Sequence, residues 1–283
     1  MLDRVDRVLL AVRDRNAAAD TFGGALGAQK VREDAVPCYA ANRVVVQAGE
    51  SQFELLEPAG EGAVSQHLER WGEGIFAAGF STSDLGAVAR SLEDAGMRFA
   101  EEGTQVFIEP NQTRGMRTAI QLGETRDRVG DISYLYEVTN IVADHEEAAS
   151  FYARAFGLEQ SRFCPIKSKE YGYTGTLTLF DPPRRLDRVE ITQITEPARA
   201  MGRFFARRGP SLYMCFVEAP DLRAVAERLD RREARYAWAS DYPNASLFIH
   251  PSSLHGMLMG VSGPLQAWRW SGHPELVPGG SAG

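Results

Sequence analysis

Histidine is scarce in this chain of 283 residues. There are five, and His67 and His145 fall on segments that read as helices or caps, His250 in a His-Pro turn and His273 near the end, which leaves His255 beside a strand. Cysteine is scarcer still: Cys38, Cys164 and Cys215 are scattered without metal-ligand spacing, and an odd count excludes a disulfide framework, so reduced, mostly buried thiols are expected. No apolar run approaches the roughly 20 residues of a membrane span. The opening Met-Leu-Asp-Arg-Val-Asp-Arg is charged and carries no apolar signal region, so a cytoplasmic location is expected. Basic excess is also missing: 31 Lys and Arg face 38 Asp and Glu, a net charge of −7, which argues against nucleic acid as the main partner. Arg203, Arg207 and Arg208 form a local basic cluster that reads as a solvated helix face. No glycine-rich turn has the spacing of a nucleotide-phosphate loop.

What is present is repetition. Gln52-Phe53-Glu54-Leu55-Leu56-Glu57-Pro58 is answered by Glu190-Ile191-Thr192-Gln193-Ile194-Thr195-Glu196-Pro197, and Ile108-Glu109-Pro110 with Gly115-Met116 by Ile249-His250-Pro251 with Gly256-Met257, about 140 residues on. Each copy divides again. Val8 to Val12 reads as a strand, Asp14 as a helix cap, the Ala-rich stretch to Leu26 as a helix and Gly27 as its stop; Val138 to Val142, Asp144, Glu146 to Phe156 and Gly157 repeat the order. Phe76 to Ser81 with the helix Asp84 to Gly96, and Leu212 to Val217 with Asp221 to Arg231, open the second halves. Three extended runs follow each helix, among them Met97 to Ala100, Gln105 to Glu109 and Arg117 to Leu122. The expectation is an α+β protein of four βαβββ units in tandem domains, residues 1–124 and 133–262, followed by a tail, 263–283. Trp268 and Trp270 in that tail are too apolar to stand free and are expected to pack on the body or on a partner subunit, so a homodimer is an open expectation; residues 278–283 read as disordered.

Paired βαβββ units with Glu54-Leu55-Leu56-Glu57-Pro58, the turn Gly72-Glu73-Gly74-Ile75 and the ending His250-Pro251 to Gly256-Met257 resemble the vicinal-oxygen-chelate superfamily of glyoxalases, bleomycin-type resistance proteins, extradiol dioxygenases and methylmalonyl-CoA epimerases. The first domain is most similar to the epimerase branch. The resemblance implies curved, cup-shaped mixed sheets, and in enzymatic members one divalent metal held by inward side chains of four strands, typically His, Gln or Glu, His and Glu. The matching places here read Arg7, Glu54, Ala77 and Ala119 in the first domain and Glu137, Gln193, Tyr213 and Gly260 in the second. A guanidinium has no lone pair to give and alanine has no donor, so no metal or other cofactor is expected. A register slip would leave the alternative of one divalent ion such as Fe, Mn, Co or Zn.

These positions define the candidate site. Glu137, Tyr213 and Gln193 are the candidate catalytic set: a desolvated carboxyl for proton transfer, with a phenol to donate to an oxyanion. Arg7 and Glu54 are candidate substrate contacts or a buried pair in the first cup; Lys167 and Tyr171, in a stretch read as a lid loop from Lys167 to Tyr173, and His255 are further candidates. The expected partner is a small aromatic or oxygen-rich molecule, handled by a metal-independent lyase or isomerase or held by a sequestering resistance protein. A metal-dependent dioxygenase, glyoxalase or CoA-thioester epimerase and a non-catalytic interaction protein are the alternatives.

Overall fold

The computed structural model describes residues 2–240 and 244–277, and its elements follow the order strand, helix, strand, strand, strand four times over. The first unit is β1 (Leu2–Ala11), α1 (Arg15–Leu26), β2 (Gln29–Val36), β3 (Ala41–Ala48) and β4 (Ser51–Pro58). A connecting helix α2 (Ala63–Trp71) leads to β5 (Gly74–Thr82), α3 (Leu85–Asp94), β6 (Ala100–Glu102), β7 (Gln105–Ile108) and β8 (Thr118–Leu122). The second half repeats this with β9 (Tyr134–Val142), α4 (His145–Phe156), β10 (Cys164–Ser168), β11 (Tyr173–Leu179) and β12 (Arg188–Ile194). After α5 (Ala200–Arg208) come β13 (Ser211–Glu218), α6 (Leu222–Asp230), β14 (Tyr236–Trp238), β15 (Ser246–Ile249) and β16 (Leu258–Ser262). The expectation of disorder for residues 278–283 lies outside the described residues.

The helix starts share one device. Asp14, Asp84, Asp144 and Asp221 each hold an extended backbone at the N-cap and accept from backbone N–H groups of the first turn. Gly27 and Gly157 end α1 and α4 in the left-handed conformation, at φ 68° and 61°. The expected strand at Met97 begins only at Ala100. Met97 N–H closes on the carbonyl of Leu92 and Arg98 N–H on the side chain of Gln112, so these donors are spent on the helix end and a turn.

The strands assemble into two eight-stranded mixed sheets, in the orders β2-β3-β4-β1-β5-β8-β7-β6 and β10-β11-β12-β9-β13-β16-β15-β14. The opening strand of each domain lies at the centre, parallel to the fourth and antiparallel to the fifth. Alternation then gives each sheet two faces. Val8, Leu10, Phe53 and Phe80 from one sheet and Val138, Val189, Ile191 and Cys215 from the other join the helices in one core shared by both domains. Backbone bonds reinforce the join, with Glu50 N–H donating to Ser133 O at 2.9 Å and Val5 N–H to the Asp187 carboxylate at 2.7 Å. The opposite, concave faces form two separate cups.

Candidate functional site

The cups differ in what fills them. The first holds a second hydrophobic cluster: Leu9, Leu56, Tyr39, Phe76 and Phe107, closed by Val64 and Leu68 of α2. Tyr39 meets Phe76 and Phe107 edge-on, with centroids 4.9 and 5.0 Å apart. Deeper in this cup lies an ion network. Arg7 pairs with Asp6 and, at 3.3 Å, with Glu54; Arg43 bonds the other Glu54 oxygen at 2.7 Å and grips Asp34 through two bonds of 2.7 Å. Arg7 and Glu54 are 1% and 0% exposed, so they pair with one another and with core groups rather than facing an open site.

The second cup keeps a cavity of about 640 Å³, within the range of small-molecule sites. The tail decides its extent. Trp268, 2% exposed, packs with Tyr136, Leu177, Leu179 and Leu186 inside this cup, and Trp270 becomes part of the cavity wall. Aromatic rings continue that wall: Trp270, Phe216, Phe248 and Tyr171 follow one another at centroid spacings of 6.5, 5.5 and 6.2 Å.

Glu137 and Glu190 both line this cavity although they are 1% and 6% exposed. They project from the adjacent central strands β9 and β12. Arg188, 0% exposed, donates from Nε to Glu137 at 2.6 Å and lies 4.9 Å from the centre of the Tyr136 ring. Thr139 Oγ1 donates to Glu190 at 2.8 Å and is 3.4 Å from Glu137, so one hydroxyl bridges the two carboxyls. Burial, and then the neighbouring Glu137 to which it is hydrogen-bonded, push Glu190 up to about 8, against the opposing effects of Thr139 and Arg188. A second negative charge this close and this dry is costly, which holds Glu190 toward its neutral acid, while Arg188 donates to Glu137. Tyr213 also lines the cavity, meets Phe204 edge-on at 4.9 Å, and is held protonated by burial.

Glu190 is the residue that the sequence reading missed, and the strand register explains why. In the sheets, Arg7 lies opposite Gln52 and Leu9 opposite Glu54; in the second domain Glu137 lies opposite Arg188 and Thr139 opposite Glu190. Glu54 therefore corresponds to Glu190, not to Gln193. Three extra residues between the strand carboxyl and the following Glu-Pro shift the match when Glu57-Pro58 is laid on Glu196-Pro197. An odd displacement reverses the face: Gln193 lies on the helix side, accepting from His145 N–H at 3.2 Å. The signal available was alternation, because Val189 and Ile191 bracket Glu190 as Phe53 and Leu55 bracket Glu54. Tyr213 is displaced similarly. Met214 is opposite Thr139 as Ala77 is opposite Leu9, whereas Tyr213 and Phe76 occupy the matching bulges.

The remaining candidates separate. Lys167 and Tyr171 are both among the lining residues, but the expected lid loop is a hairpin. Lys167 and Ser168 belong to edge strand β10 and Tyr173 starts β11, leaving a turn over 169–172. Its strand parity points the Lys167 Cβ away from the cavity face shared by Ile166 and Ser168. His255 is outside the cavity and joins the domains: its ring nitrogens lie 3.0 Å from Thr21 Oγ1 and 3.1 Å from the Glu73 carboxylate. Gly256 beside it, at φ 83°, lets the chains meet, since a Cβ there would fall 1.9 Å from Glu73 O. The basic cluster on α5 is not simply a solvated face. Arg203 lines the cavity, and the half-buried Arg208 lies 5.0 Å from the Trp71 and Phe204 rings.

Comparison with known proteins agrees with this architecture. Residues 6–112 match the model of the Glyoxalase/Bleomycin resistance protein/Dioxygenase superfamily, so this segment is a vicinal-oxygen-chelate domain. Among solved structures, a mutant of 4-hydroxymandelate synthase from Streptomyces coelicolor aligns with 93% of this chain and 92% of its own at a TM-score of 0.69 and 13% identity, which shows a shared fold across both domains. Methylmalonyl-CoA epimerase of the same organism, in complex with 2-nitronate-propionyl-CoA, is 22% identical over 44% of this chain and 100% of its own, at a TM-score of 0.41. The epimerase of Mycobacterium tuberculosis is 21% identical over 47% and 89%, also at 0.41. No curated protein matches the sequence.

A divalent metal of the kind used in this superfamily is a poor fit to either cup. The first presents Arg7, Glu54, Ala77 and Ala119, with Glu54 already bonded by two guanidinium groups. In register, the second presents Glu137, Glu190, Met214 and Gly260. There Glu137 is taken by Arg188, Glu190 is shifted toward its neutral acid, and glycine offers no side-chain donor. Among the described residues no group of three His, Cys, Asp or Glu side chains is arranged to hold a metal.

Proposed function

We propose that the second cup binds a small organic molecule, aromatic or rich in oxygen, and acts on it by metal-independent proton transfer, as a lyase or isomerase. The observation that carries this reading is the carboxyl pair Glu137 and Glu190, bridged by Thr139 and buried at the floor of an open cavity. Glu190, held toward its neutral acid by burial and by Glu137, is the group that can give a proton near neutral pH, and Glu137 beside it is the acceptor in this reading. A proton taken from ligand carbon by Glu137 and a proton returned from Glu190 balance an isomerisation without an oxidant or reductant. The Tyr213 hydroxyl is the donor offered to an oxygen on which negative charge develops.

The test begins with ligands selected from an aromatic and keto-acid library by ligand-observed NMR. Each bound compound is then incubated with the protein in D2O and scored for deuterium at carbon. The wild type is expected to exchange at least one ligand. Glu137→Gln and Glu190→Gln should still bind but lose the exchange. Stabilisation by ligand through mass action, without exchange in any protein, would replace the catalytic reading with sequestration.

A further inference from the structure

The two ends of the cavity differ in charge, and a largely apolar wall separates them. At its floor, Glu137 is neutralised by Arg188, and burial favours the neutral acid of Glu190, so the acidic residues there add little net negative charge. At the side formed by α5, Arg199 and Arg203 line the space and have no carboxylate partner among the described residues; the Arg203 guanidinium reaches only the carbonyl of Ala198. Both arginines are exposed and stand at the rim, whereas the buried Arg43, Arg126 and Arg188 are each paired with a carboxylate. Of the other charged lining residues, Lys167 directs its Cβ away from the cavity face and Glu170 accepts from Ser240 at 2.6 Å. Between floor and rim runs the wall of four rings from Trp270 to Tyr171.

From this arrangement we infer that the ligand is an aryl compound carrying an anionic group, its ring on the Phe216, Phe248 and Tyr171 wall and its anion at Arg199 and Arg203. Resting on the proton-transfer reading above, the orientation puts the far end of the ligand at Glu137 and Glu190. Guanidinium groups suit a planar carboxylate because they offer paired N–H donors, and an aromatic wall selects a flat body without requiring particular hydrogen bonds. A neutral aryl compound would satisfy the wall and leave the arginines in water.

The experiment compares benzoate, phenylacetate and 3-phenylpropionate with their primary amides, measuring affinity by ligand-observed NMR on the whole chain. At least one carboxylate is expected to bind about tenfold more tightly than its amide, the size of one charge-assisted contact. That preference should fall to within about twofold in Arg199→Gln/Arg203→Gln while amide affinity holds, and should weaken as salt is raised. Circular dichroism and the melting temperature check that the exposed substitutions leave the fold intact. Equal affinity for acid and amide, a preference that survives in the double variant, or no saturable binding by any aryl probe would each overturn the inference. Absence of charge preference in the wild type, with deuterium exchange intact, would sink this inference alone. Charge preference without exchange would sink only the catalytic reading.

Discussion

Glu190→Gln isolates the energetic consequence of the buried carboxyl pair, because glutamine keeps the shape and an acceptor for Thr139 while it cannot titrate. An unfolded glutamate titrates near 4.3. In the fold, burial and Glu137 hold Glu190 at about 8. Below the lower value both states carry the proton, and the folded protein has its full stability. Between the two values the folded state retains a proton that the unfolded chain has released, so stability falls as pH rises, by ~1.4 kcal/mol per pH unit. Above about 8 both states are ionised and the loss is complete. From pH 5 to 9 the wild type should therefore lose roughly 4 kcal/mol relative to Glu190→Gln. Urea unfolding of both proteins across this range, followed by fluorescence of the four tryptophans, measures the difference. A stability difference that stays flat with pH, or a 13C-carboxyl midpoint for Glu190 near that of a free glutamate, would refute the reasoning.

Three further substitutions test the parts around it. Arg188→Met leaves Glu137 buried without its partner and should cost about 3–5 kcal/mol, with much of the loss recovered in Arg188→Met/Glu137→Leu; a double variant no more stable than the single would count against a buried pair. Arg7→Ala strips one guanidinium from the first cup and should lower stability by about 3 kcal/mol, read as a clear drop in melting temperature, and an unchanged value would contradict the burial of that network. Trp268→Ala should cost about 3–5 kcal/mol and enlarge the second cup, seen as stronger binding of an environment-sensitive apolar dye; neither change occurring would mean that the tail does not pack there.

Sequence by itself determined the architecture of this protein. The internal period, the four aspartate caps and the alternation of apolar residues are local properties, and each is independent of what lies across the sheet. Composition likewise disfavoured nucleic acid as a partner before any contact was known. The tertiary structure decided the site, because facing partners depend on strand register and a displacement of one or three residues exchanges the faces. That is why Glu190 rather than Gln193 joins Glu137, and why Tyr213 stands at a bulge. Two similar cups also diverged through distant segments: α2 and its aromatic neighbours close the first, while a tail far along the chain fills part of the second and leaves the rest open. Burial then gives the same residue type different chemistry, a carboxylate gripped by two arginines at Glu54 and a carboxyl with a raised pKa at Glu190. Those differences arise from packing and dielectric surroundings, which no local pattern records.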